Sequence, residues 1–270
     1  MRCYREEKMD SIKIPSLESV KRFRAGLESE NGVFGPFMIT SDPAFVESAG
    51  YAGYDFVLLD MEHGPGTFEN LQNLIRAANV ADVMPVVRVP RGTDIWIDQA
   101  LDVGAGGVMI PQIDTAEQAK TAVAAAKFSP RGNRGTCRFV RSAAYGGISG
   151  AHYFAEAQDT VVILQAEGKK AIENLDAILD VEGIDIVFVG PYDLSASLGI
   201  IGQIDHPMVM EAIADICKRA AKKNVKVGCF ADNVQSARKL RDMGVKFLGY
   251  SCDTAIFQYA AAADVAAYKK

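Results

Sequence analysis

The sequence has no apolar run near the roughly 20 residues that a membrane-spanning helix requires, and it has no excess of positive charge. Its formal net charge is −5 at pH 7. These absences argue against an integral membrane protein and give no support for binding to nucleic acid or to a membrane surface. Residues 1–10 are charged and contain no apolar core, so we do not expect a secretory signal there.

The cysteines are few, odd in number and without a Cys-x-x-Cys pair. This pattern favours free thiols over a disulfide framework, and free thiols are typical of a reducing compartment. We therefore expect a cytoplasmic protein. The cysteines are Cys3, Cys137, Cys217, Cys229 and Cys252.

Short apolar runs rich in β-branched residues alternate with amphipathic stretches rich in alanine, leucine and lysine. The predicted strands lie at 33–40, 56–60, 84–89, 106–110, 161–167, 184–190, 225–230 and 246–250. The predicted helices between and after them lie at 42–52, 67–80, 93–103, 115–127, 169–180, 207–223, 232–243 and 253–267. This alternation implies parallel strands with helical crossovers. Because the strand runs are almost continuously apolar, both faces of the sheet should be covered.

A single (β/α)8 barrel of the TIM type fits this pattern better than an open doubly wound sheet. The chain has 270 residues, which suits one such barrel, and it lacks a Gly-rich dinucleotide turn. We expect a barrel domain over residues 16–270 that begins with an extra helix at 16–27. Residues 1–15 are expected to form a loose extension.

Two kinds of barrel chemistry lack their usual residues. An imine-forming aldolase needs a lysine in the carboxyl-terminal half of a strand, but Lys226 and Lys246 stand at strand starts. A phosphate-binding barrel would carry Gly-rich turns after strands seven and eight. The first of these turns instead contains Asp232-Asn233, which predicts the start of a helix.

Acidic residues follow two consecutive predicted strands. Glu167 ends strand five, and Asp193 closely follows strand six. Polar groups at the carboxyl ends of parallel strands meet at one mouth of the barrel, so both carboxylates can reach one hard cation such as Mg²⁺. The alternative is that each residue caps a helix; the occurrence of two acids on adjacent strand ends favours the metal site.

Further polar residues end strands two and three. Arg88 ends strand three and suits an anionic substrate, while Asp60 or Glu62 on strand two could hold its guanidinium in place. His63 lies in a Gly/Pro-rich loop after strand two and is a candidate general base. Gln165 points to the same side of its strand as Glu167 and could touch the substrate. We count Asp60, His63 and Arg88 as candidate catalytic residues.

The connection at 128–160 is too long for a simple turn. Loops of this length inside a barrel are usually functional. It holds several arginines and aromatic residues, and we expect its 136–158 part, with Arg138, Arg141 and Tyr145, to influence substrate choice.

Six motifs together resemble the HpcH/HpaI-type family of metal-dependent class II aldolases, which act on 4-hydroxy-2-oxo acids. The resemblance spans residues 30–265. The motifs are Asp-Phe-Val-Leu-Leu-Asp-Met-Glu-His-Gly (55–64), Pro-Val-Val-Arg-Val (85–89), Leu-Asp-Val-Gly-Ala (101–105), Pro-Arg-Gly-Asn-Arg-Gly (130–135), Gln-Ala-Glu (165–167) and Gly-Pro-Tyr-Asp-Leu-Ser (190–195). The resemblance implies a carbon–carbon lyase that forms pyruvate and an aldehyde.

The resemblance also implies roles for the residues at the mouth. Glu167 and Asp193 would bind Mg²⁺, Mn²⁺ or Co²⁺, which would chelate the carboxylate and keto oxygens of pyruvate. Arg88 would stabilise the enolate oxygen and polarise the aldehyde, and His63 would act as the base. The contacts to the pyruvate unit would come from Gln165, Gly190, Pro191 and Tyr192.

A partner for the histidine is implied as well. In the family an acid of the Leu-Asp-Val-Gly motif pairs with it, which points to Asp102. Our topology puts Asp102 at the opposite end of its own barrel, so the pairing requires a neighbouring subunit. The resemblance implies a homohexamer built from dimers that exchange the last helix, 253–267.

Two positions depart from the family pattern. Ala166 stands where the family more often has Ile or Val, and it faces away from the mouth. Tyr192 occupies a variable position where its bulk could reshape the acceptor pocket. Two other functions stay open. The same enolate would serve an oxaloacetate decarboxylase or a carbon–carbon bond-forming synthase, and a non-catalytic, effector-binding barrel is the alternative from another class.

Overall fold

The chain folds as eight parallel strands that close into a barrel, in a computed structural model that describes residues 13–270. Neighbouring strands pair in chain order, and the eighth strand completes the ring by pairing with the first. The predicted (β/α)8 barrel is confirmed. The strands are β1 Val33–Met38, β2 Phe56–Asp60, β3 Met84–Arg88, β4 Gly107–Ile110, β5 Val161–Gln165, β6 Ile186–Val189, β7 Lys226–Ala231 and β8 Phe247–Cys252.

Helices surround the strands, and the predicted extra helix before β1 is present. The helices are α1 Leu17–Glu28, α2 Pro43–Tyr51, α3 Phe68–Val80, α4 Asp94–Asp102, α5 Ala116–Ala126, α6 Gly150–Glu156, α7 Lys169–Glu173, α8 Leu175–Leu179, α9 Pro191–Ser197, α10 Pro207–Ala221, α11 Val234–Asp242 and α12 Asp253–Tyr268. The helix predicted at 169–180 is divided into α7 and α8 at Asn174, whose side chain donates to the carbonyl of Asp114 at 2.9 Å.

Side chains alternate along each strand between the barrel interior and the surrounding helix layer, as the twofold period of a strand requires. Leu58, Val86 and Ile163 lie in the interior, while the residues between them pack outward against the helices. This alternation continues to the strand ends. Asp60, Arg88 and Gln165 each stand two residues after one of these interior residues, so their side chains extend the interior layer toward the mouth.

Helix α1 closes the end of the barrel at which the strands begin. Phe23 is 2% exposed, and its ring packs edge-on against Phe56 at 5.9 Å between ring centroids. Arg24 forms a two-pronged contact with Asp185, with nitrogen–oxygen distances of 2.7 and 3.2 Å. Since Asp185 immediately precedes β6, this ion pair fixes the helix against the strand starts.

The long connection lies at this same closed end. It contains α6 and two short 3₁₀ helices, Arg141–Gly146 and Ala157–Asp159. Arg141 donates to the carbonyl of Val103 at 3.0 Å and to Asn79 at 2.8 Å. A small second core forms here from Ile14, Phe128, Ala143, Ile148 and Tyr153.

The predicted loose extension at 1–15 falls mostly on residues 1–12, which lie outside the described residues. The predicted free thiols agree with the four cysteines that the structure describes, since all four are unpaired. Within residues 13–270 we find no helix with the length and apolar character needed to cross a membrane.

Shortening Phe23 tests the role of α1. Phe23→Ala should lower the free energy of unfolding by about 3–5 kcal/mol, because it opens a cavity beneath the barrel. Urea denaturation followed by circular dichroism measures this. Lys21→Ala on the exposed side of the same helix is the control and should cost less than about 1 kcal/mol. Equal, small effects of both changes would contradict the docking of α1 on the barrel.

Candidate active site

A buried ion pair joins the ends of β2 and β3. Arg88 donates through Nε to Asp60 Oδ1 at 2.9 Å and through Nη2 to Asp60 Oδ2 at 2.6 Å. The Asp60 side chain is only 1% exposed and that of Arg88 only 11%. Adjacent strand ends place the two groups directly opposite, since Asp60 pairs with Arg88 in the sheet register. The predicted support of the guanidinium by a carboxylate is therefore present.

The loop after β2 is held by the same carboxylate. Asp60 Oδ1 accepts the backbone N–H groups of Glu62 at 3.0 Å and His63 at 3.3 Å. Glu62 then approaches Arg88, with 3.2 Å between Oε2 and Nη1. Burial raises the pKa of the Glu62 carboxyl, and the charges of Arg88 and His63 oppose that shift. The His63 side chain is 69% exposed on the rim, with its Nε2 3.9 Å from Glu62 Oε2.

The two predicted metal ligands converge above Gly190. A Cβ atom built on this glycine would lie 2.4 Å from Glu167 Oε2 and 3.0 Å from Asp193 Oδ2. Gly190 has the interior parity of Ile186 and Phe188 on β6, which explains why its missing side chain leaves space at the mouth. The structure thus brings Glu167 and Asp193 together, and it makes glycine the only residue that fits between them.

The proximity of the two acids has an electrostatic consequence. The pKa of Glu167 is raised to about 7, first by burial and then by the negative charge of Asp193. Burial and the neighbouring negative charge both disfavour the ionised form of this carboxyl. A positive charge beside the two acids would lower this pKa again.

Gln165 supplies a third oxygen beside the pair. Its Nε2 donates to Glu167 Oε2 at 3.1 Å, while its Oε1 is buried without a hydrogen-bond partner. An unpartnered buried acceptor is uncommon and calls for a missing partner. Two carboxylates and an amide oxygen are donors that suit a hard divalent cation, which keeps its other positions for water and substrate. Between residues 13 and 270, no group of three or more His, Cys, Asp or Glu side chains could hold a metal alone.

The alternative assignment of the two acids as helix caps does not match the contacts. Gly168 occupies the cap position of α7, and Gly190 occupies that of α9. In the described part of the chain, no backbone N–H donates to the side chain of Glu167 or Asp193.

Two of the predicted substrate contacts begin α9. Pro191 is the first residue of this helix and is buried, whereas Tyr192 is 45% exposed. The hydroxyl of Tyr192 donates to Asp232, at 2.9 Å from Oδ2 and 3.1 Å from Oδ1. Segment 190–192 therefore passes directly beside the two converging acids.

Asp102 lies elsewhere in its own chain. It is the last residue of α4, at the closed end of the barrel, where it accepts from Arg134 Nη2 at 2.7 Å. The structure therefore does not bring it to His63 within one chain, as the topology predicted. The 136–158 segment lies at the closed end as well, so the expectation that it shapes the substrate pocket is not met within a single chain.

Sequence reasoning missed two features of the mouth. The Asp232-Asn233 pair was assigned to a helix start, but only Asn233 caps α11, and Asp232 binds Tyr192 instead. Phe37 lies under Arg88, with 5.0 Å from the guanidinium carbon to the ring centroid. The sequence did contain an indication for Asp232. It follows Phe230, a residue on the interior side of β7, by two positions, so its side chain is expected on the same side.

A family model described as HpcH/HpaI aldolase/citrate lyase matches residues 34–260. The chain is 37% identical over 249 residues to a 2-keto-3-deoxy-L-rhamnonate aldolase of Salmonella gallinarum (strain 287/91 / NCTC 13346), which covers 92% of each chain. A solved HpcH/HpaI aldolase/citrate lyase family protein from Burkholderia cenocepacia J2315 matches with a TM-score of 0.86 and 32% identity, over 93% of this chain and 98% of that one.

The solved structure of citrate synthase SbnG is also similar, with a TM-score of 0.81 and 27% identity over 93% of this chain and 96% of that one. The predicted resemblance and the predicted aldolase-type lyase are both confirmed by these matches. The chain belongs to the HpcH/HpaI aldolase/citrate lyase family.

Proposed function

We propose that this barrel cleaves and forms 4-hydroxy-2-oxo acids, with pyruvate and an aldehyde as the other side of the reaction. The observation that carries the proposal is the convergence of Glu167 and Asp193 above Gly190, beside a rigidly held Arg88. The name of the Salmonella relative supports it, because a 2-keto-3-deoxy sugar acid belongs to this substrate class. Mg²⁺, Mn²⁺ or Co²⁺ would be held by the two carboxylates.

A cation bound there would supply Lewis-acid stabilisation of the negative charge that develops on the 2-oxo oxygen. Arg88 adds a fixed positive charge on the other side of the mouth. Asp60 occupies its Nε and one proton of Nη2, so further N–H groups are free to donate to the substrate. Because the guanidinium is already oriented, it does not need to reorganise during the reaction.

The remaining roles follow from position. His63 is exposed on the rim and takes the proton of the C4 hydroxyl during cleavage as a general base. Gln165 and the backbone of segment 190–192 contact the pyruvate unit beside the two acids. Asp60 acts as a positioning residue that holds both Arg88 and the His63 loop.

We also propose a homo-oligomer in which Asp102 of one subunit serves His63 of another. Helix α12 supports this assembly, because only Asp253 among its residues is buried. Phe257, Tyr259 and Val265 of this helix are 63%, 67% and 51% exposed. Such a helix suits exchange between subunits of a hexamer built from dimers. The unpaired cysteines agree with a cytoplasmic location.

The second candidate function uses the same enolate in an oxaloacetate decarboxylase or a carbon–carbon bond-forming synthase. The similarity to citrate synthase SbnG supports this second candidate, because that protein is named as a synthase. Product analysis separates the two: pyruvate with a set of aldehydes should give new 4-hydroxy-2-oxo acids, whereas a dedicated decarboxylase would only convert oxaloacetate to pyruvate.

Removing the metal, or one ligand, tests the cation site. EDTA should abolish aldol cleavage, and Mn²⁺ should restore it in the wild type but not in Glu167→Gln. In metal-free protein the raised Glu167 pKa of about 7 means that stability falls as pH rises through 7. Glu167→Gln should therefore raise the melting temperature of the metal-free protein at pH 8.

Calorimetry with Mn²⁺ and thermal unfolding at pH 5.5 and 8 measure these effects. Glu173→Gln, on the exposed face of the next helix, is the control and should behave as the wild type in both assays. A Glu167→Gln protein that still binds Mn²⁺ with wild-type affinity would contradict the ligand assignment.

A methyl group at Gly190 should block the cation site without unfolding the barrel. Gly190→Ala places a Cβ 2.4 Å from Glu167 Oε2, so the acids must separate, and we expect Mn²⁺ affinity to fall by about tenfold or more. Gly66→Ala is the control, because its Cβ would meet no atom within 4 Å. Equal Mn²⁺ affinities of the two variants would contradict a cation site above Gly190.

Arg88→Ala separates metal binding from chemistry. The turnover number for aldol cleavage should fall by roughly 10²–10³-fold, the loss expected for one preorganised donor to a developing oxyanion. Mn²⁺ should still raise the melting temperature, because the guanidinium is not a metal ligand. Arg88→Lys keeps the charge without the two-pronged contact to Asp60 and should recover only part of the rate. A wild-type rate in Arg88→Ala would exclude its catalytic role.

A further inference from the structure

The mouth carries a polar pair that the reaction described above does not use. Tyr192 and Asp232 meet across the gap between β6 and β7, with the phenol donating to the carboxylate at 2.9 Å. Tyr192 immediately precedes the proposed metal ligand Asp193. Within the described chain, no lysine or arginine side chain lies within ion-pair distance of Asp232, and the side-chain hydrogen bond that its carboxylate accepts comes from Tyr192.

A row of aromatic rings connects this pair to Arg88. The guanidinium of Arg88 lies 5.0 Å from the ring centroid of Phe37, and Phe37 packs edge-on against Phe230 at 5.4 Å. The ring of Tyr192 follows at 6.3 Å from that of Phe230. Phe230 belongs to the barrel interior, and Asp232 follows it by two residues on the same side of the chain. The pair therefore ends an apolar floor that begins at the proposed catalytic arginine.

We propose that Tyr192 and Asp232 are specificity-determining residues that select hydroxylated aldehydes and reject carboxylated ones. The inference rests on the proposed aldol reaction and names the class of its aldehyde. An aldehyde whose carbonyl lies at Arg88 would extend its chain over Phe37 and Phe230 and place its distal groups at the pair.

The chemistry of the pair decides what it accepts. A carboxylate offers about four lone-pair sites, and the single O–H of Tyr192 occupies only one of them. The remaining sites and the phenolic oxygen can accept hydrogen bonds from the hydroxyl groups of an aldehyde. A carboxylated aldehyde instead brings a second negative charge to Asp232, and an aldehyde without polar groups leaves the acceptors unused.

The opposing explanation is that the contact only links α9 to β7. A structural link would affect every aldehyde alike when it is removed. A specificity pair predicts changes of opposite sign for hydroxylated and carboxylated aldehydes. The ratio of the two kcat/KM values therefore distinguishes a role in recognition from a role in structure.

The test measures kcat/KM in the Mn²⁺-loaded enzyme for pyruvate with glyceraldehyde, propanal and succinic semialdehyde. Asp232→Asn should lower kcat/KM for glyceraldehyde by about tenfold and change that for propanal by less than about threefold, because only the former donates to the carboxylate. It should raise kcat/KM for succinic semialdehyde at least about threefold, since a like-charge contact is removed. Tyr192→Phe should shift the glyceraldehyde-to-propanal ratio in the same direction.

Asp242→Asn is the matched control. Asp242 is 67% exposed, lies 2.9 Å from Arg241 and ends α11 at the side opposite to Asp232, so its neutralisation should leave the three ratios unchanged. If the wild type forms no aldol product with any aldehyde, the proposed function itself fails. If the wild type is active but Asp232→Asn changes all three substrates in parallel, the pair is a structural link and this inference is wrong.

Discussion

The mouth depends on an imbalance of charge. In the part of the chain that the structure describes, the carboxylates of Asp60, Glu62, Glu167 and Asp193 lie at the mouth with one guanidinium, that of Arg88. The guanidinium forms its ion pairs with Asp60 and Glu62, and its charge offsets only part of the burial and repulsion that act on Glu167. Repulsion between Glu167 and Asp193 in a partly buried position is therefore the constraint to which the rest of the site responds. A divalent cation is the simplest partner that relieves it.

The barrel explains how such an unfavourable group of charges can be maintained. The packed interior and α1 lie below the mouth, where Phe23, Phe56 and Phe247 form a continuous aromatic cluster. Stability comes mainly from this region and from the apolar layer between strands and helices. The strand ends can therefore carry strain, since their repulsion is small compared with the burial beneath them. Gly190 is a local example: the space left by its missing side chain is taken up by two acids and not by apolar packing.

Much of this site could be predicted because strand periodicity is local information. Once eight apolar runs are recognised, the twofold period puts Asp60, Arg88, Gln165 and Glu167 on the inner side at the mouth. The barrel topology then makes neighbours of residues on consecutive strands. The convergence of Glu167 with Asp193 and the contact of Arg88 with Asp60 follow from these two facts.

The features that escaped prediction depend on choices that local sequence leaves open. Asp232-Asn233 offers two possible caps for one helix, and only the position of Tyr192 on another strand end decides that Asp232 turns to the mouth. The course of the long connection is a similar case. Its arginines bind carbonyl and carboxylate groups at the closed end, such as Val103 and Asp102, and these partners are remote in sequence.

The location of that connection limits where substrate choice can arise. Because residues 128–160 lie at the closed end of their own barrel, they cannot form a lid over their own mouth. Selectivity for the aldehyde must then come from the rim of the same chain or from a neighbouring subunit. On the rim, Tyr192 and Asp232 stand beside the proposed metal ligands and at the end of the aromatic floor that leads from Arg88. A change of residue there can alter the aldehyde without altering the acids proposed to hold the cation, so the proposed donor chemistry and acceptor choice can vary independently in this fold.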